Sequence, residues 1–158
     1  IMKDSRIGAF GAMALVLALL DKVSLLAPLG AHSLGAVLAA LAGGHVLSRL
    51  WPLFIVRWLP HVGDTARSKS KPLADQISRS ALVAAVLWCF MPLALVYQAQ
   101  AATFLIASIT VSLAAAAWMG RWFARRLQGF TGDCLGATQQ VGEIGFYLGA
   151  ALALGAAR

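Results

Sequence analysis

Residues 101–119 read AATFLIASITVSLAAAAWM, an apolar run without a charged side chain. At 1.5 Å per residue, a helix of this length spans about 28 Å, close to the roughly 30 Å hydrocarbon core of a bilayer. Further apolar runs cover residues 8–29, 34–50, 80–97 and 137–157. The pattern predicts an all-α integral membrane protein, a bundle of about five transmembrane helices.

Composition agrees with this fold class. The 158 residues are 60% hydrophobic and 12% charged, with a mean hydropathy of +0.79, whereas a soluble domain carries about 25% charged residues. The sizeable polar stretch, residues 60–77, holds two prolines and several charges and is typical of a loop. We therefore expect a single transmembrane helical domain over residues 1–158.

Basic residues are distributed unevenly between the two ends of the expected helices. Of thirteen, eleven fall on the side of the N-terminus and two on the other. Cytoplasmic loops carry an excess of Lys and Arg, so membrane topology accounts for the net charge of +7. No aromatic and basic motif of nucleic-acid binding accompanies these residues, and we expect no nucleic-acid partner. The eleven are Lys3, Arg6, Arg49, Arg57, Arg67, Lys69, Lys71, Arg79, Arg121, Arg125 and Arg126, and the two are Lys22 and Arg158.

A glycine-rich stretch, residues 129–137 (GFTGDCLGA), separates the last two apolar runs. Two interpretations stay open. In one, glycine backbone cradles a phosphate, and Asp133 offers an oxygen ligand to a divalent cation at the start of a helix. In the other, the stretch is a turn between helices, and Asp133 is the N-cap. In both, Asp133 lies where a helix begins.

Two further polar groups lie at the same expected membrane face. Residues 3–6 (KDSR) are either interfacial charges before a membrane span or a cluster that binds phosphates, with Asp4 on a metal ion. Arg49 can reach lipid phosphate or bind a substrate phosphate. His45 lies one turn before Arg49 and is typical of a packing residue.

Glu143 lies about six residues into the last apolar run, where an unpaired carboxylate is costly. Gln139 and Gln140 precede it by four and three positions, which brings their side chains near it. Glu143 is either functional or paired with a glutamine, or with a Lys or Arg from a neighbouring span. Lys22 falls near the end of the first run, from which its side chain can reach the membrane surface.

Two separated blocks resemble the cobalamin synthase family, the adenosylcobinamide-GDP ribazoletransferases of the bacterial inner membrane. They are residues 1–11 (IMKDSRIGAFG) and residues 129–138 (GFTGDCLGAT), the second followed by Glu143. The second block is similar to the pattern Gly-x-Thr-Gly-Asp-x-Leu-Gly-Ala. The resemblance implies a multi-pass inner-membrane enzyme of vitamin B12 biosynthesis. Such an enzyme joins adenosylcobinamide-GDP to α-ribazole or its 5′-phosphate and releases GMP, with Mg²⁺. This is phosphoryl transfer, which depends on positioning and charge neutralisation.

The resemblance also implies roles for particular residues at the cytoplasmic face. Asp133 and Asp4 are the expected catalytic carboxylates, and both, together with Glu143, are the expected Mg²⁺ ligands. Six residues are expected to bind the substrate phosphates. They are Lys3, Ser5, Arg6, Arg49, Thr131 and Gly132.

One part of the family pattern is absent from this sequence. In the family an aspartate-rich segment of the Asp-Gly-Leu-Ala-Asp type lies just upstream of the first block, so we expect the chain to be the C-terminal part of a longer enzyme. The alternative is a polytopic transporter or channel subunit without catalytic activity, with Glu143 and Lys22 on an ion path. We disfavour it because the polar groups are expected at one membrane face rather than at the midplane. The oligomeric state stays open, a homo-oligomer included.

Overall fold

The computed structural model describes residues 8–62 and 77–156, and these residues form five helices and no extended strand. The helices are α1 (Ala9–His32), α2 (Leu34–Trp58), α3 (Arg79–Ala99), α4 (Ala102–Arg126) and α5 (Gly132–Ala156). Within this described part of the chain, α1 to α4 are long and apolar enough to cross a membrane. The all-α membrane fold class is confirmed.

Three helices extend by five or more residues beyond the spans expected from hydropathy. α2 continues through Pro52 to Trp58, whereas the apolar pattern predicts an end at residue 50. Membrane helices tolerate proline where neighbouring groups satisfy the freed backbone. α4 continues to Arg126, and α5 begins at Gly132 rather than at residue 137. The helices thus continue beyond the apolar runs, in α2 through a mostly apolar segment and in α4 and α5 through segments with charged residues.

α5 lies at the centre of the bundle. Its most extensive contact is with α4, and it also packs against α2 and α1. Phe146 and Tyr147 on this helix are completely buried. α5 carries Asp133, Glu143 and two glutamines and, unlike α1 to α4, does not reach the hydropathy of a membrane-crossing helix. Its contacts with α1, α2 and α4 surround its middle with protein.

Small residues allow α4 and α5 to approach closely. A Cβ atom added at Gly149 would lie 2.5 Å from the Ala107 carbonyl oxygen. One added at Gly145 would lie 3.1 Å from Ser112 Cα. Packing of this kind supplies van der Waals contact between helices in lipid, where the hydrophobic effect does not drive association.

Two glycines of α2 receive the large aromatic rings of α5. A Cβ atom at Gly43 would lie 2.5 Å from Phe146 Cζ, and one at Gly44 would lie 2.6 Å from Tyr147 Cε1. Any larger residue at these positions would displace the rings. The Tyr147 hydroxyl is thereby held at a fixed place in the bundle.

A single residue, Ser33, joins α1 to α2. Its backbone is extended (φ −165°, ψ 152°), and its hydroxyl accepts a hydrogen bond from the Ala36 N–H at 3.0 Å, which caps α2. Lys22 and His45 lie eleven and twelve positions from Ser33 in the two helices. The tight hairpin therefore brings these two residues to the same height.

Candidate functional site

Glu143 is the centre of a polar cluster that joins three helices. Its Oε1 atom lies 3.0 Å from the Lys22 ammonium of α1 and accepts a hydrogen bond from the Tyr147 hydroxyl at 2.8 Å. Lys22 also donates to Gln140 Oε1 at 2.7 Å. His45 Nδ1 of α2 lies 3.5 Å from Glu143 Oε1. These five residues, called the Glu143 cluster below, show Glu143 paired with a lysine from a neighbouring helix.

The Glu143 cluster lies at mid-height of the bundle. Lys22 is residue 14 of 24 in α1, and His45 and Glu143 are each residue 12 of 25 in their helices. The expectation that Lys22 reaches the membrane surface is wrong, because α1 continues to His32 and the ammonium bonds inward. Since charged groups do occur at mid-height, their position no longer argues against a transporter.

The carboxylate of the Glu143 cluster is buried, whereas the outer members of the cluster are partly exposed. Glu143 is 3% exposed, whereas the side chains of Lys22 and His45 are 19% and 53% exposed. A lone charge at the bilayer centre costs about 2.5–3.5 kcal/mol on insertion scales, and the ion pair and hydrogen bonds offset this penalty. The exposed polar edge requires protein, water or a ligand beside it, rather than lipid.

Arg49 lies one turn beyond His45 toward the C-terminus of α2 and is exposed. Its Nη1 donates to the His45 carbonyl oxygen at 2.8 Å. α2 runs opposite to α5, with His45 beside Glu143, so Arg49 lies at a height between Glu143 and Asp133. A guanidinium has five N–H donors, so this one contact leaves capacity for an anion.

The glycine-rich stretch begins with a structural turn. Phe130 is completely buried, its N–H donates to the Pro60 carbonyl at 2.9 Å, and its carbonyl accepts from the Val62 N–H at 3.0 Å. A Cβ atom at Gly129 would collide with the Pro60 oxygen and the Val62 side chain. Glycine is needed here so that the chain can approach the segment that follows α2. The turn interpretation is correct for these two residues.

From Thr131 onward the same stretch is accessible. Thr131 precedes α5, and its hydroxyl lies 3.3 Å from Cys134 Sγ. Asp133 is the second residue of α5 and is exposed, so the N-cap interpretation of this aspartate is wrong by two positions. A Cβ atom at Gly136 would meet open space. An exposed carboxylate therefore lies beside the unpaired N–H groups of a helix start, where anions are favoured.

The predicted metal ligands are not all brought together. Asp133 and Glu143 are ten positions apart in α5, about 15 Å along the helix axis. One Mg²⁺ ion cannot take both carboxylates, and Glu143 is the partner of Lys22 instead. In the part of the chain that the structure describes, no group of three His, Cys, Asp or Glu residues is suited to hold a metal ion. Four predicted site residues lie outside that part: Lys3, Asp4, Ser5 and Arg6.

Two members of the Glu143 cluster escaped the sequence analysis. Tyr147 follows Glu143 by four positions, the spacing that places side chains on one helix face, so this signal was present. His45 was interpreted as a packing residue, although its ring contacts the carboxylate. No sequence signal points from α1 or α2 to Glu143, because the pairing depends on how the helices dock.

Comparison with known proteins identifies the family. The family described as Cobalamin-5-phosphate synthase matches residues 1–151. The chain belongs to this family. The resemblance carried by residues 1–11 and 129–138 is confirmed, and the membrane-crossing helices are those of a multi-pass membrane protein.

Relatives of this chain carry the name adenosylcobinamide-GDP ribazoletransferase. One from Albidiferax ferrireducens is 60% identical, over 98% of this chain and 60% of its own length. Those from a Polaromonas species (strain JS666) and Vibrio cholerae are 57% and 42% identical, over 98% and 94% of this chain and 59% and 54% of their own lengths. The chain thus spans less than two thirds of the length of each. No solved structure matches it.

Proposed function

We propose that this chain carries part of the phosphoryl-transfer site of an adenosylcobinamide-GDP ribazoletransferase. Family membership over residues 1–151 is the observation that carries the proposal. In the reaction, a ribose hydroxyl of α-ribazole or its 5′-phosphate attacks the phosphorus attached to cobinamide. A P–O bond to the ribose forms, the P–O bond to GMP breaks, and the hydroxyl proton passes to a base. The products are adenosylcobalamin or its 5′-phosphate, and GMP.

Asp133 is the proposed carboxylate for the metal ion of this reaction. When bound, Mg²⁺ would neutralise the negative charge on the phosphate oxygens. Mg²⁺ commonly uses one or two protein carboxylates with substrate phosphates and keeps several waters, so the accessible Asp133 fits one such contact. Asp4 is the proposed second carboxylate. Glu143 has no place in this metal set, because it is engaged by Lys22 at mid-height.

Phosphate binding is proposed for the start of α5 and for Arg49. The first N–H groups of a helix have no partner within it, and they favour an anion near Thr131 and Gly132. Arg49 lies between Asp133 and the mid-height Glu143 along the bundle axis, and its guanidinium can bind a phosphate through two N–H groups. The two sets of donors suit a substrate whose phosphates extend from the end of the bundle inward. Lys3, Ser5 and Arg6 are proposed to complete the set.

We assign the Asp133 end of the bundle to the cytoplasmic side of a bacterial inner membrane. α2 and α4 end here, and α3 and α5 begin here. Five exposed arginines occupy these helix termini, and cytoplasmic segments of membrane proteins are enriched in Arg and Lys. They are Arg57, Arg79, Arg121, Arg125 and Arg126. Nucleotide substrates therefore meet the site from the cytoplasm.

The Glu143 cluster acts as a positioning element in this proposal. It ties α1 and α2 to α5, the helix whose first turn carries Asp133. The exposed side chains of His45 and Gln140 lie deeper in the bundle than Arg49, measured from the Asp133 end. They would form a polar wall beyond the substrate phosphates. Exposed polar side chains at this depth are consistent with a polar substrate entering from the Asp133 end.

Release of GMP by the full-length protein in membranes tests the proposal. With Mg²⁺, adenosylcobinamide-GDP and α-ribazole supplied, we expect GMP and the cobalamin product in equal amounts. Parallel reactions with α-ribazole 5′-phosphate show which acceptor is preferred. Absence of GMP with both acceptors would contradict the proposal and would favour a transporter, for which the charged pair at mid-height is also suited.

A further inference from the structure

A separate groove lies between α2 and α4, and none of the proposed catalytic or phosphate-binding residues lines it. Its volume is about 410 Å³, and its walls are apolar apart from one charged lining residue, Arg121. Trp51, Ile55 and Trp58 form much of the α2 wall, and Gly120 belongs to the α4 wall. The groove therefore combines an apolar volume with a single cation.

We infer that this groove binds one acyl chain of an anionic phospholipid, whose phosphate lies on Arg121. The α2 wall runs from residue 51 to residue 59, which is about 12 Å along a helix. One leaflet of the hydrocarbon core is about 15 Å deep. The groove thus has the length of the chain region of one leaflet, and it ends where the arginines lie.

The cationic end of the groove is at the level of the headgroups. Trp58 is 73% exposed and Trp122 is half exposed, and tryptophan is enriched at the membrane interface. Arg121 lines the groove at this end, and its guanidinium can bind a phosphate through two N–H groups. Exposed Arg57 and Arg125 in the neighbouring turns add positive charge. This charge selects an anionic headgroup over a zwitterionic one.

The floor of the groove favours a hydrocarbon ligand. The Trp51 indole N–H donates to Ser112 Oγ at 2.7 Å, and the Ser112 hydroxyl donates to the Gly142 carbonyl at 2.7 Å. These polar atoms are satisfied within the bundle, so the indole presents an apolar face. A flexible acyl chain suits an apolar space of about 410 Å³ that ends at a cation.

Native mass spectrometry of the detergent-solubilised full-length protein tests this inference with phosphatidylglycerol and phosphatidylcholine. We expect phosphatidylglycerol to be retained preferentially. Gly120→Leu should block the groove and abolish the retained lipid. A Cβ atom at Gly120 lies 3.9 Å from Ile55 Cγ1, so the new side chain starts without a clash. Gly30→Leu is the matched control, because Gly30 faces open space.

Arg121→Gln should weaken phosphatidylglycerol binding about tenfold, the loss expected for one charge-assisted contact. Arg79→Gln, which removes an exposed arginine at the start of α3 and outside the groove, should change it little. Unchanged lipid retention in Gly120→Leu, with helical content preserved by circular dichroism, would overturn the inference. Equal retention of both lipids would also overturn it, as would a dimer mass that disappears in Gly120→Leu, because a second copy would then occupy the groove. None of these readouts depends on GMP release.

Discussion

Glu143 and Asp133 are carboxylates of the same helix in opposite surroundings. Glu143 is 3% exposed and is met by groups from three helices. Asp133 is exposed in the first turn of α5. A buried charge must be satisfied by the protein, whereas an exposed one can be satisfied by a ligand. From this difference we predict that the first carboxylate stabilises the fold and that the second binds a ligand.

Glu143→Gln is expected to have the largest effect. The amide keeps the size of the side chain, but the Lys22 ammonium then lacks its carboxylate. Breaking a buried ion pair costs about 3–5 kcal/mol. Denaturant unfolding in detergent should show this loss in the free energy of unfolding. The double variant Lys22→Met/Glu143→Gln should recover part of the lost free energy of unfolding. If Glu143→Gln is as stable as the wild type, the ion pair between Lys22 and Glu143 has no structural role.

Asp133→Asn should act mainly on activity, because the lost charge at the helix start costs at most about 1 kcal/mol of stability. Loss of the negative charge weakens metal binding at the phosphates, and we expect GMP release to fall about 100-fold or more, as for other preorganised electrostatic contacts. Asp21→Asn is the matched control, because Asp21 is also exposed but belongs to the middle of α1. Equal turnover in the two variants would exclude Asp133 from the site.

Tyr147→Phe removes one hydrogen bond from the buried carboxylate and keeps the ring between the helices. The Tyr147 hydroxyl donates to Glu143 at 2.8 Å, and a hydrogen bond to a charged group contributes about 1.5–3 kcal/mol. The free energy of unfolding should fall by this amount. A larger fall in GMP release than in stability would instead make the Glu143 cluster part of the chemistry.

Gln140→Ala is expected to have the smallest effect. Gln140 lies between the buried Glu143 and the exposed Asp133, so this variant tests which of the two surroundings it belongs to. Gln140 is exposed and accepts a hydrogen bond from Lys22, so its loss should cost about 0.5–1.5 kcal/mol of stability. Gln140 lies between Asp133 and Glu143 in α5, so the KM of its variant tests whether substrate reaches it. An increased KM for adenosylcobinamide-GDP with unchanged stability would extend the binding surface to this residue.

Hydropathy predicted the helices well because each membrane-crossing segment needs a long apolar run. The residues at which the helices begin and end were predicted less well. α2 passes through Pro52, and α5 begins five residues before its apolar run. Caps and contacts with other helices decide such ends, and the apolar pattern does not contain them. The accessible start of α5 at Asp133 was anticipated from the glycine-rich stretch, since glycine and aspartate have local reasons to occur there.

The pairing of Glu143 was predictable only as one of two alternatives. A carboxylate in an apolar run needs a partner, and that requirement is visible in the sequence. The identity of the partner is not, because Lys22 meets α5 only after α1 has folded back at Ser33 and docked. The assignment of Glu143 to the same metal site as Asp133 has a different cause. Ten positions on one helix already separate the two carboxylates by about 15 Å, so the sequence alone argued against that assignment.

The one-residue link at Ser33 also has a consequence for the order of assembly. α1 and α2 can pair as soon as both are made, since closing so short a loop costs little entropy. The Lys22 ammonium finds its acceptors much later in synthesis, because Gln140 is 118 positions further along the chain. Until α5 arrives, the early hairpin carries an uncompensated charge within the membrane. Docking of α5 is therefore the step that fixes the hairpin in its final place, because it supplies both partners of the Lys22 ammonium.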